Sequence, residues 1–238
     1  MPVGDGLEVG NANWRFRGDV VAKFDEHVAK SVPFYFEGHE LCCSLSDYFV
    51  KDGSRVYDLG ASTGGLTLAL AEHHRQKEGA SFVGLDHEPE MVDAARRRLA
   101  DAELDNASFE VADLADAELD PCDLVTAYYT IQFVRPSVRQ QVFDRVYQSL
   151  QWGGAFLLFE KVRGADARFQ DIATGIYTDY KLARGYTPEE IVSKSRSLKG
   201  VLEPFSTQGN LDLLRRAGFV DVVSVFKYVC FEGFLAIK

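Results

Sequence analysis

Short apolar runs and helical patterns alternate along most of the chain, from residue 55 onward. Five apolar, β-type runs predict strands, at 55–60, 81–86, 108–111, 123–128 and 155–160. Three helical patterns lie between them, at 66–76, 89–102 and 136–150. This rhythm is typical of an α/β fold, in which a parallel sheet is covered by helices on both faces.

The C-terminal part extends this pattern. Gly153-Gly154 is predicted to turn the chain into the fifth strand. A helix at 210–217 ends at Gly218, and two further β-type runs follow, at 222–229 and 234–237. The sequence therefore predicts seven strands.

Two stretches depart from the rhythm. In the first fifty residues, apolar positions recur at three- and four-residue spacing, at Phe24, Val28, Val32 and Tyr35. This spacing predicts helices whose apolar face either packs on the core or closes over a ligand. The second stretch, 165–204, is polar and helical. We interpret it as an insertion that covers the active site.

Composition limits the function classes. A chain of 238 residues with 46% hydrophobic residues can bury a large core in one domain. No stretch approaches the roughly 20 consecutive apolar residues of a membrane span, and the first residues lack the features of a signal peptide. We therefore expect a cytoplasmic protein without a membrane partner. The net charge of −10 argues against direct nucleic-acid binding, which depends on Lys and Arg contacts.

Cysteines and histidines show none of the spacings typical of metal or redox sites. The cysteines form neither a disulfide framework nor a CxxC pair, and we interpret them as small core residues: Cys42, Cys43, Cys122 and Cys230. The histidines lack a spacing such as HExxH and are predicted at the surface or at helix ends: His27, His39, His73, His74 and His87. The sequence predicts no metal site.

A glycine-rich loop follows the first strand, with the sequence Asp58-Leu59-Gly60-Ala61-Ser62-Thr63-Gly64. Such side-chain-poor backbone at the carboxyl end of a strand lets a ligand approach closely. By itself the pattern is equally compatible with an ordinary tight turn. The loop lacks the GxGxxG pattern and the chain lacks a GxxxxGK[ST] motif, which disfavours dinucleotides and nucleoside triphosphates.

Three acidic residues favour a nucleoside ligand. Asp86 ends the second strand, where a carboxylate can accept hydrogen bonds from both ribose hydroxyls. Asp113 follows the third strand, where an adenine amino group could be read. Asp58 precedes the glycines and could pair with the charged amino group of a methionine. This combination is more informative than the loop alone.

Ten short motifs carry a resemblance to a known family, at 24–28, 31–35, 56–62, 131–133, 136–140, 153–155, 160–161, 179–181, 185–186 and 217–219. From about residue 24 onward the chain resembles class I S-adenosylmethionine-dependent methyltransferases. It is more closely similar to the carboxy-S-adenosylmethionine synthase family, whose product serves wobble-uridine modification in bacterial tRNA. The resemblance implies a Rossmann-like fold with N-terminal helices, a seven-stranded, mostly parallel sheet, a helical insertion before the last two strands and an antiparallel C-terminal strand.

The resemblance also implies a cofactor, a site and an assembly. The cofactor is S-adenosylmethionine, and the family is homodimeric. The residues implied at the cofactor are Tyr35, Gly60, Ala61, Ser62, Asp86, His87, Asp113 and Leu114, to which we add Asp58, Gly64 and Tyr128. The single domain divides into an N-terminal helical cap (1–54), an S-adenosylmethionine-binding core (55–164), a helical insertion that caps the substrate (165–205) and the end of the core sheet (206–238).

Two departures from the family pattern fall where the synthase chemistry is carried. Ser195 is colinear with an arginine that holds the added carboxylate in the family, and a one-residue shift to Arg196 would restore the charge. Tyr128 stands where the family has an asparagine that contacts the ligand. The resemblance therefore supports cofactor binding more firmly than it supports carboxylation.

Three functions are compatible with these residues. The favoured one is methyl transfer to a small molecule, with Glu160 as a base, although Glu160 could instead pair with Lys161 or Arg163. Four tyrosines could shape an aromatic acceptor pocket: Tyr128, Tyr129, Tyr177 and Tyr180. The second is synthesis of carboxy-S-adenosylmethionine from S-adenosylmethionine and prephenate, in which a transient sulfonium ylide would capture carbon dioxide. That dianionic substrate needs cations, for which the candidates are Lys194, Arg196 and Lys199, either within one chain or reaching across a dimer interface. The third is cofactor binding without turnover.

Overall fold

Seven strands form one sheet in the computed structural model, which describes residues 2–4, 12, 14, 16 and 18–238. They are β1 (Arg55–Leu59), β2 (Ser81–Asp86), β3 (Ala107–Val111), β4 (Cys122–Tyr128), β5 (Leu150–Lys161), β6 (Asp221–Tyr228) and β7 (Phe231–Ile237). Their order across the sheet is β3-β2-β1-β4-β5-β7-β6. Strands β1 to β5 pair in parallel, whereas β7 pairs antiparallel with β5 and β6. The predicted sheet is confirmed.

Helices precede, connect and follow the strands. They are α1 (Asp19–Ala22), α2 (Phe24–Ser31), α3 (Tyr35–Ser46), α4 (Gly65–His73), α5 (Pro89–Ala102), α6 (Pro136–Ser149), α7 (Ala167–Ala183), α8 (Pro188–Ser197) and α9 (Thr207–Ala217), with a 3₁₀ helix at Ile131–Phe133. Helices α4, α5 and α6 are the crossovers between parallel strands. Helices α7 and α8 form the predicted insertion between β5 and the last two strands. In the described part of the chain, no helix is long and apolar enough to cross a bilayer.

Side-chain alternation along the central strands builds a core on both faces of the sheet. On β5, Phe156 and Leu158 pack in one cluster with residues of α6, whereas Leu157 and Phe159 pack in the other with residues of α3 and α4. Residues 124–127 of β4 are all buried, as expected for a central strand that is covered on both faces. This packing brings the carboxyl ends of β1, β2, β4 and β5 to one edge.

The turn predicted at Gly153-Gly154 is wrong. Helix α6 ends at Ser149 and β5 begins at the next residue, so both glycines lie inside the strand. Gly153 adopts φ +80°, in the left-handed region that favours glycine. The pairing of β5 with β4 shifts register between Cys122 and Leu124. The glycines therefore belong to an irregular part of the strand.

The helical face predicted near the N-terminus is divided between two helices, because α2 ends at Ser31 and α3 begins at Tyr35. This face points toward a cavity, because all four of its apolar residues line that cavity: Phe24, Val28, Val32 and Tyr35. Residues of α7 and α8 line the same cavity. The division of the chain into four segments stays a prediction.

Candidate active site

A cavity of about 990 Å³ lies at the carboxyl ends of the central strands. The strand ends and the loops that follow them form its floor, α2 and α3 form one wall, and α7 and α8 form the other. Ligand pockets usually measure about 300–1,000 Å³, so this cavity has room for a nucleoside and a second small molecule. In open α/β sheets, ligands bind at this edge.

The glycine-rich loop after β1 forms one end of the cavity. Gly60 has φ +74°, and a Cβ at this position would collide with the side chain of Thr130. The N–H groups of Gly60 and Ala61 donate to the Leu85 carbonyl at 2.7 and 2.9 Å. These bonds hold the loop against the end of β2. Gly60, Ala61 and Ser62 therefore present mostly backbone to the cavity that they line.

Gly64 lies behind the loop and does not line the cavity, whereas its neighbour Gly65 does. It is the N-cap of α4, with φ +81°. A Cβ on Gly64 would lie 2.6 Å from the ring of Phe109. The position of Gly64 therefore does not support the predicted cofactor contact, because this glycine permits close packing of the loop on β3.

Asp86 ends β2, and two backbone N–H groups fix its carboxylate. Ser62 N donates to Oδ2 and Glu88 N donates to Oδ1, both at 2.9 Å. Burial raises the pKa of Asp86, and the two hydrogen bonds oppose that rise. Each carboxylate oxygen keeps a further lone pair. The group can therefore still accept two hydroxyl donors from a ribose.

Asp58 lies buried in β1, one residue before the strand ends. The hydroxyls of Thr67 and Thr126 each donate to it at 2.7 Å. Burial raises the pKa of Asp58, and both hydroxyls oppose that rise. Asp58 ties α4 and β4 to β1 and also lines the cavity. Its contact with a ligand amino group stays a prediction.

The other residues predicted at the cofactor also line the cavity: Tyr35, His87, Asp113, Leu114 and Tyr128. The Ala115 N–H donates to Asp113 Oδ1 at 2.9 Å, which fixes this carboxylate at the end of β3. The hydroxyl of Tyr128 donates to the Tyr35 carbonyl at 2.7 Å, and burial raises the pKa of Tyr128 far above its usual range. Only the ring of Tyr128 is therefore available to a ligand.

Glu160 and Lys161 lie at the end of β5 and point to opposite faces of the sheet. Glu160 is buried and does not line the cavity. Burial raises its pKa to about 8, while the charge of Arg139 and the N–H groups of Ile131 and Gln132 oppose that rise. Lys161 lines the cavity instead. The position of Glu160 does not support its predicted role as a base, because strand alternation turns it toward α6.

Cations line the end of the cavity that is formed by β5, the insertion and the loop before α6: Arg135, Lys161, Arg163, Lys181, Lys194 and Lys199. The acidic residues at or after the strand ends also line the cavity: Asp58, Asp86, Asp113 and Asp116. One further carboxylate in the lining, Glu203, follows α8. Burial lowers the pKa of Lys181 to about 8 and also lowers the pKa of Lys161. We call the part formed by the strand-end carboxylates and the loop after β1 the acidic end, and the part formed by the cations of β5 and the insertion the basic end.

Arg196 lies outside the cavity. Helix α8 presents Lys194 and Ser195 to it, whereas Arg196 is exposed. Successive residues of a helix point about 100° apart, so the side chain after Ser195 turns away. The Lys194 ammonium donates to Ser31 Oγ at 2.6 Å. The one-residue shift to Arg196 therefore does not bring a guanidinium into the cavity of its own chain, and its predicted catalytic role, which includes a contact across a dimer interface, stays a prediction.

Three histidines are buried: His27, His39 and His74. His27 and His39 lie inside α2 and α3, which corrects their predicted location, whereas His74 is the C-cap of α4, at a helix end as predicted. His27 and His39 line the cavity, and burial lowers the pKa of His39 to about 4. Among the described residues, Asp47, His73 and His74 have possible metal-ligand atoms within 4.8 Å of one another. None of these three lines the cavity, and His73 Nε2 lies 2.9 Å from Asp47 Oδ1.

Comparison with known proteins agrees with the geometry of this cavity. A family model described as a methyltransferase domain matches residues 56–154. The chain is 37% identical to the carboxy-S-adenosyl-L-methionine synthase of Staphylococcus epidermidis, over 94% of this chain and 97% of that protein. It is 35% identical to the synthase of Campylobacter lari, over 94% of each. The chain belongs to the carboxy-S-adenosyl-L-methionine synthase family.

A solved structure agrees with this assignment at the level of the fold. Human N-acetylserotonin methyltransferase in complex with S-adenosylmethionine matches with a TM-score of 0.61 at 19% identity, over 92% of this chain and 55% of that one. The predicted enzyme class, an S-adenosylmethionine-dependent transferase, and its cofactor are confirmed by the family. The acidic end fits this cofactor, because Asp86 offers acceptors to a ribose and Gly60 leaves no side chain in the way.

Two of the cations that line the cavity, Lys161 and Lys181, were not predicted there from the sequence. Lys161 was considered only as a partner of Glu160, and Lys181 only as part of a family motif. The alternation of side-chain directions along β5 is the pattern that could have predicted the position of Lys161. Since Leu157 and Phe159 face α3 and α4, a strand that continues with period two also turns Lys161 to that side. No local pattern of the sequence predicts where α7 places Lys181.

Proposed function

We propose that this protein is a carboxy-S-adenosylmethionine synthase that uses S-adenosylmethionine and prephenate. The observation that carries the proposal is the group of cations that lines the cavity in addition to the carboxylates of the strand ends. A neutral methyl acceptor needs no cluster of cations. A dianionic acid needs one, because its charges must be compensated when it leaves water.

The acidic end binds and orients the cofactor in this proposal. Bound S-adenosylmethionine supplies a sulfonium-activated methyl group. The backbone of Gly60, Ala61 and Ser62 admits the nucleoside, and Asp86 accepts hydrogen bonds from its ribose. The ring of Tyr128 and the side chain of Tyr35 close the site beside it.

The basic end binds the second substrate and, with the insertion, excludes water. The balanced reaction transfers one carbon dioxide unit from prephenate to the methyl carbon of S-adenosylmethionine. The methyl proton leaves with the ring hydroxyl of prephenate as water, and phenylpyruvate remains. Helices α2, α3, α7 and α8 surround the cavity, which favours transfer between the two substrates over loss of carbon dioxide to solvent.

The test is the mass of the nucleoside product. Purified protein is incubated with S-adenosylmethionine and prephenate, and the nucleosides are separated and weighed. We expect a product heavier than S-adenosylmethionine by one carbon dioxide unit, together with an equal amount of phenylpyruvate. Unchanged S-adenosylmethionine in the presence of active, cofactor-binding protein contradicts the proposal.

Methyl transfer to a small acceptor is the second candidate, and one observation favours it. Ser195 lines the cavity where the family pattern has an arginine, and Arg196 is exposed outside it. Formation of S-adenosylhomocysteine that depends on an added acceptor would identify this activity. Cofactor binding without either product would leave the third hypothesis, a binding protein.

A homodimer is part of the proposal. Helix α7 carries an exposed apolar stripe at three- and four-residue spacing, formed by Phe169, Ile172 and Ile176. Exposed apolar surface of this kind is typical of an interface. We expect light scattering to give twice the chain mass, and Ile176→Asp to give a monomer that still binds cofactor. The cytoplasmic location and the link to tRNA modification stay predictions.

A further inference from the structure

Two lysine ammonium groups lie over the ring of Tyr177 in the wall of the cavity. Lys161 Nζ is 4.3 Å from the ring centroid, and Lys181 Nζ is 4.5 Å from the same centroid. Lys161 is the last residue of β5, and Lys181 follows Tyr177 by one helical turn of α7. The Tyr177 hydroxyl donates to the Ser31 carbonyl at 2.7 Å, which fixes the ring. A strand end and the insertion thus bring two cations to one rigid support.

Neither ammonium group has a carboxylate or a hydrogen-bond acceptor among the residues that the structure describes. Lys181 is 8% exposed. Burial lowers the pKa of both lysines, whereas Cys230 acts to raise both. Each lysine also feels a neighbouring cation, Lys161 beside Lys181 and Arg163 beside Lys161, and burial raises the pKa of the Cys230 thiol itself. A cation–π contact offsets only part of the cost of desolvating an ammonium group. The two charges therefore remain uncompensated until an anion enters the cavity.

The surroundings of the two lysines define the chemistry of that anion. Phe231 lies beside them, with Lys161 Nζ 6.0 Å from its ring centroid, and Ala173 and Tyr129 line the same cavity. An apolar wall with two adjacent cations suits an organic acid that has a hydrocarbon ring and two carboxylates. A small inorganic anion would leave the aromatic surface uncovered.

We infer that Lys161 and Lys181 bind the two carboxylates of the second substrate and select a dicarboxylic acid over a monocarboxylic one. This inference rests on the proposed function, because the cofactor occupies the acidic end. Tyr177 holds both ammonium groups within 4.5 Å of its ring centroid. We call the three residues the lysine clamp.

Binding to the whole protein tests the clamp. The probes are prephenate and phenylpyruvate, which carry two carboxylates and one, and each is titrated calorimetrically into protein saturated with S-adenosylhomocysteine. The variants are Lys161→Met, Lys181→Met and the charge-retaining Lys181→Arg. The control is Arg184→Met, because Arg184 also lies over a tyrosine, Tyr180, at 4.8 Å, but outside the cavity.

We expect each methionine variant to weaken prephenate binding about tenfold or more, since each loses a charge-assisted contact. Their preference for prephenate over phenylpyruvate should fall with it. Lys181→Arg should keep most of the preference, and Arg184→Met should keep all of it. The dissociation constant of S-adenosylmethionine, measured on every variant, shows that the fold and the acidic end are intact.

The outcomes separate the clamp from the proposed function. If both methionine variants bind cofactor and prephenate as the wild type does, the clamp is wrong, even where the wild type makes carboxy-S-adenosylmethionine. If the wild type makes no such product, yet the variants lose the preference for a dicarboxylate, the clamp stands and the proposed function fails. Should a methionine variant not fold, the preference of the wild type and of Lys181→Arg decides, and equal affinity for the two probes overturns the clamp.

Discussion

The acidic and basic ends of the cavity are built in different ways. At the acidic end, three of the four carboxylates already accept hydrogen bonds: Asp58 from two threonine hydroxyls, Asp86 from two backbone N–H groups and Asp113 from one. At the basic end, Lys161 and Lys181 are held over an aromatic ring without an anionic partner in the described chain. The acidic end is therefore preorganised before any ligand binds, whereas the basic end depends on its ligand for charge compensation.

The largest expected effect separates the two ends. Asp86→Ala removes the carboxylate that accepts a hydrogen bond from the Ser62 N–H. In the proposed site the same carboxylate accepts hydrogen bonds from the ribose hydroxyls. Loss of a charged hydrogen-bond partner costs about 1–3 kcal/mol, so the dissociation constant of S-adenosylmethionine should rise about 5- to 150-fold. Isothermal titration measures it. Asp93→Asn, on the exposed side of α5, is the control and should bind as the wild type does.

The same variant tests whether the two ends bind their ligands independently. Prephenate binding to Asp86→Ala, measured with enough S-adenosylhomocysteine to fill the acidic end, should match the wild type within about twofold, because distant sites usually add independently. An unchanged dissociation constant for S-adenosylmethionine would instead remove Asp86 from the cofactor site.

A change of pH should affect only the basic end. The pKa of Lys181 lies near 8, below its usual range, and the charged form is the one that binds a carboxylate. Between pH 7 and pH 9 the free lysine loses its proton, so prephenate should bind about tenfold more weakly at pH 9. Binding of S-adenosylmethionine should stay constant, because Lys181 belongs to the basic end.

Other titratable groups face Lys181, so the pH experiment needs a control. They are Lys161, Tyr177 and Cys230. In Lys181→Arg the guanidinium stays charged throughout. A flat profile in this variant therefore assigns the titration to Lys181, and an unchanged slope assigns it to one of the neighbours.

The difference between the ends also explains what the sequence could predict. Asp58, Asp86 and Asp113 lie at or next to the carboxyl ends of β1, β2 and β3, so recognising those strands was enough to bring the carboxylates together. The basic end is assembled from β5 and two helices of the insertion, and its geometry depends on how those helices pack. Arg196 and Glu160 illustrate this limit of sequence-based prediction, since each lies outside the cavity of its own chain and one position from a residue that lines it.

A smaller effect is expected where α2 closes over the acidic end. Asp25 accepts a hydrogen bond from the Thr63 hydroxyl at 2.9 Å and forms an ion pair with Arg98 at 2.8 Å. The Asp25 side chain is 40% exposed, and exposed pairs are worth about 0.2–1 kcal/mol. Asp25→Asn should therefore raise the S-adenosylmethionine dissociation constant about two- to fivefold, mainly through a faster off-rate.

The control for this contact is a similar surface pair elsewhere. Asp212 lies 4.0 Å from Arg215 on α9 and has no contact with the cavity walls. Stopped-flow dissociation of the cofactor should be the same in Asp212→Asn and in the wild type. If the cofactor dissociated from Asp25→Asn at the same rate as from the wild type, α2 would not hold the cofactor in place.

The smallest effect on activity is expected at Glu160, beside the clamp but on the other face of β5. The pKa of Glu160 is about 8 in the folded chain, against an ordinary value near 4.5, so the folded state binds the extra proton between these values. Its stabilising contribution is complete below pH 4.5 and is lost as the pH rises toward 8. Glu160→Gln does not titrate, so the wild type should lose roughly 5–10 °C of melting temperature relative to this variant between pH 5 and pH 7.

Turnover of Glu160→Gln then decides between the two faces of the strand. Because Glu160 does not line the cavity and Lys161 does, kcat/KM with prephenate should stay within about threefold of the wild type. Lys161→Met, one residue further along, should lose far more through KM. A large loss of kcat in Glu160→Gln, with KM unchanged, would restore Glu160 as the base and show that β5 turns its other face to the substrate during catalysis.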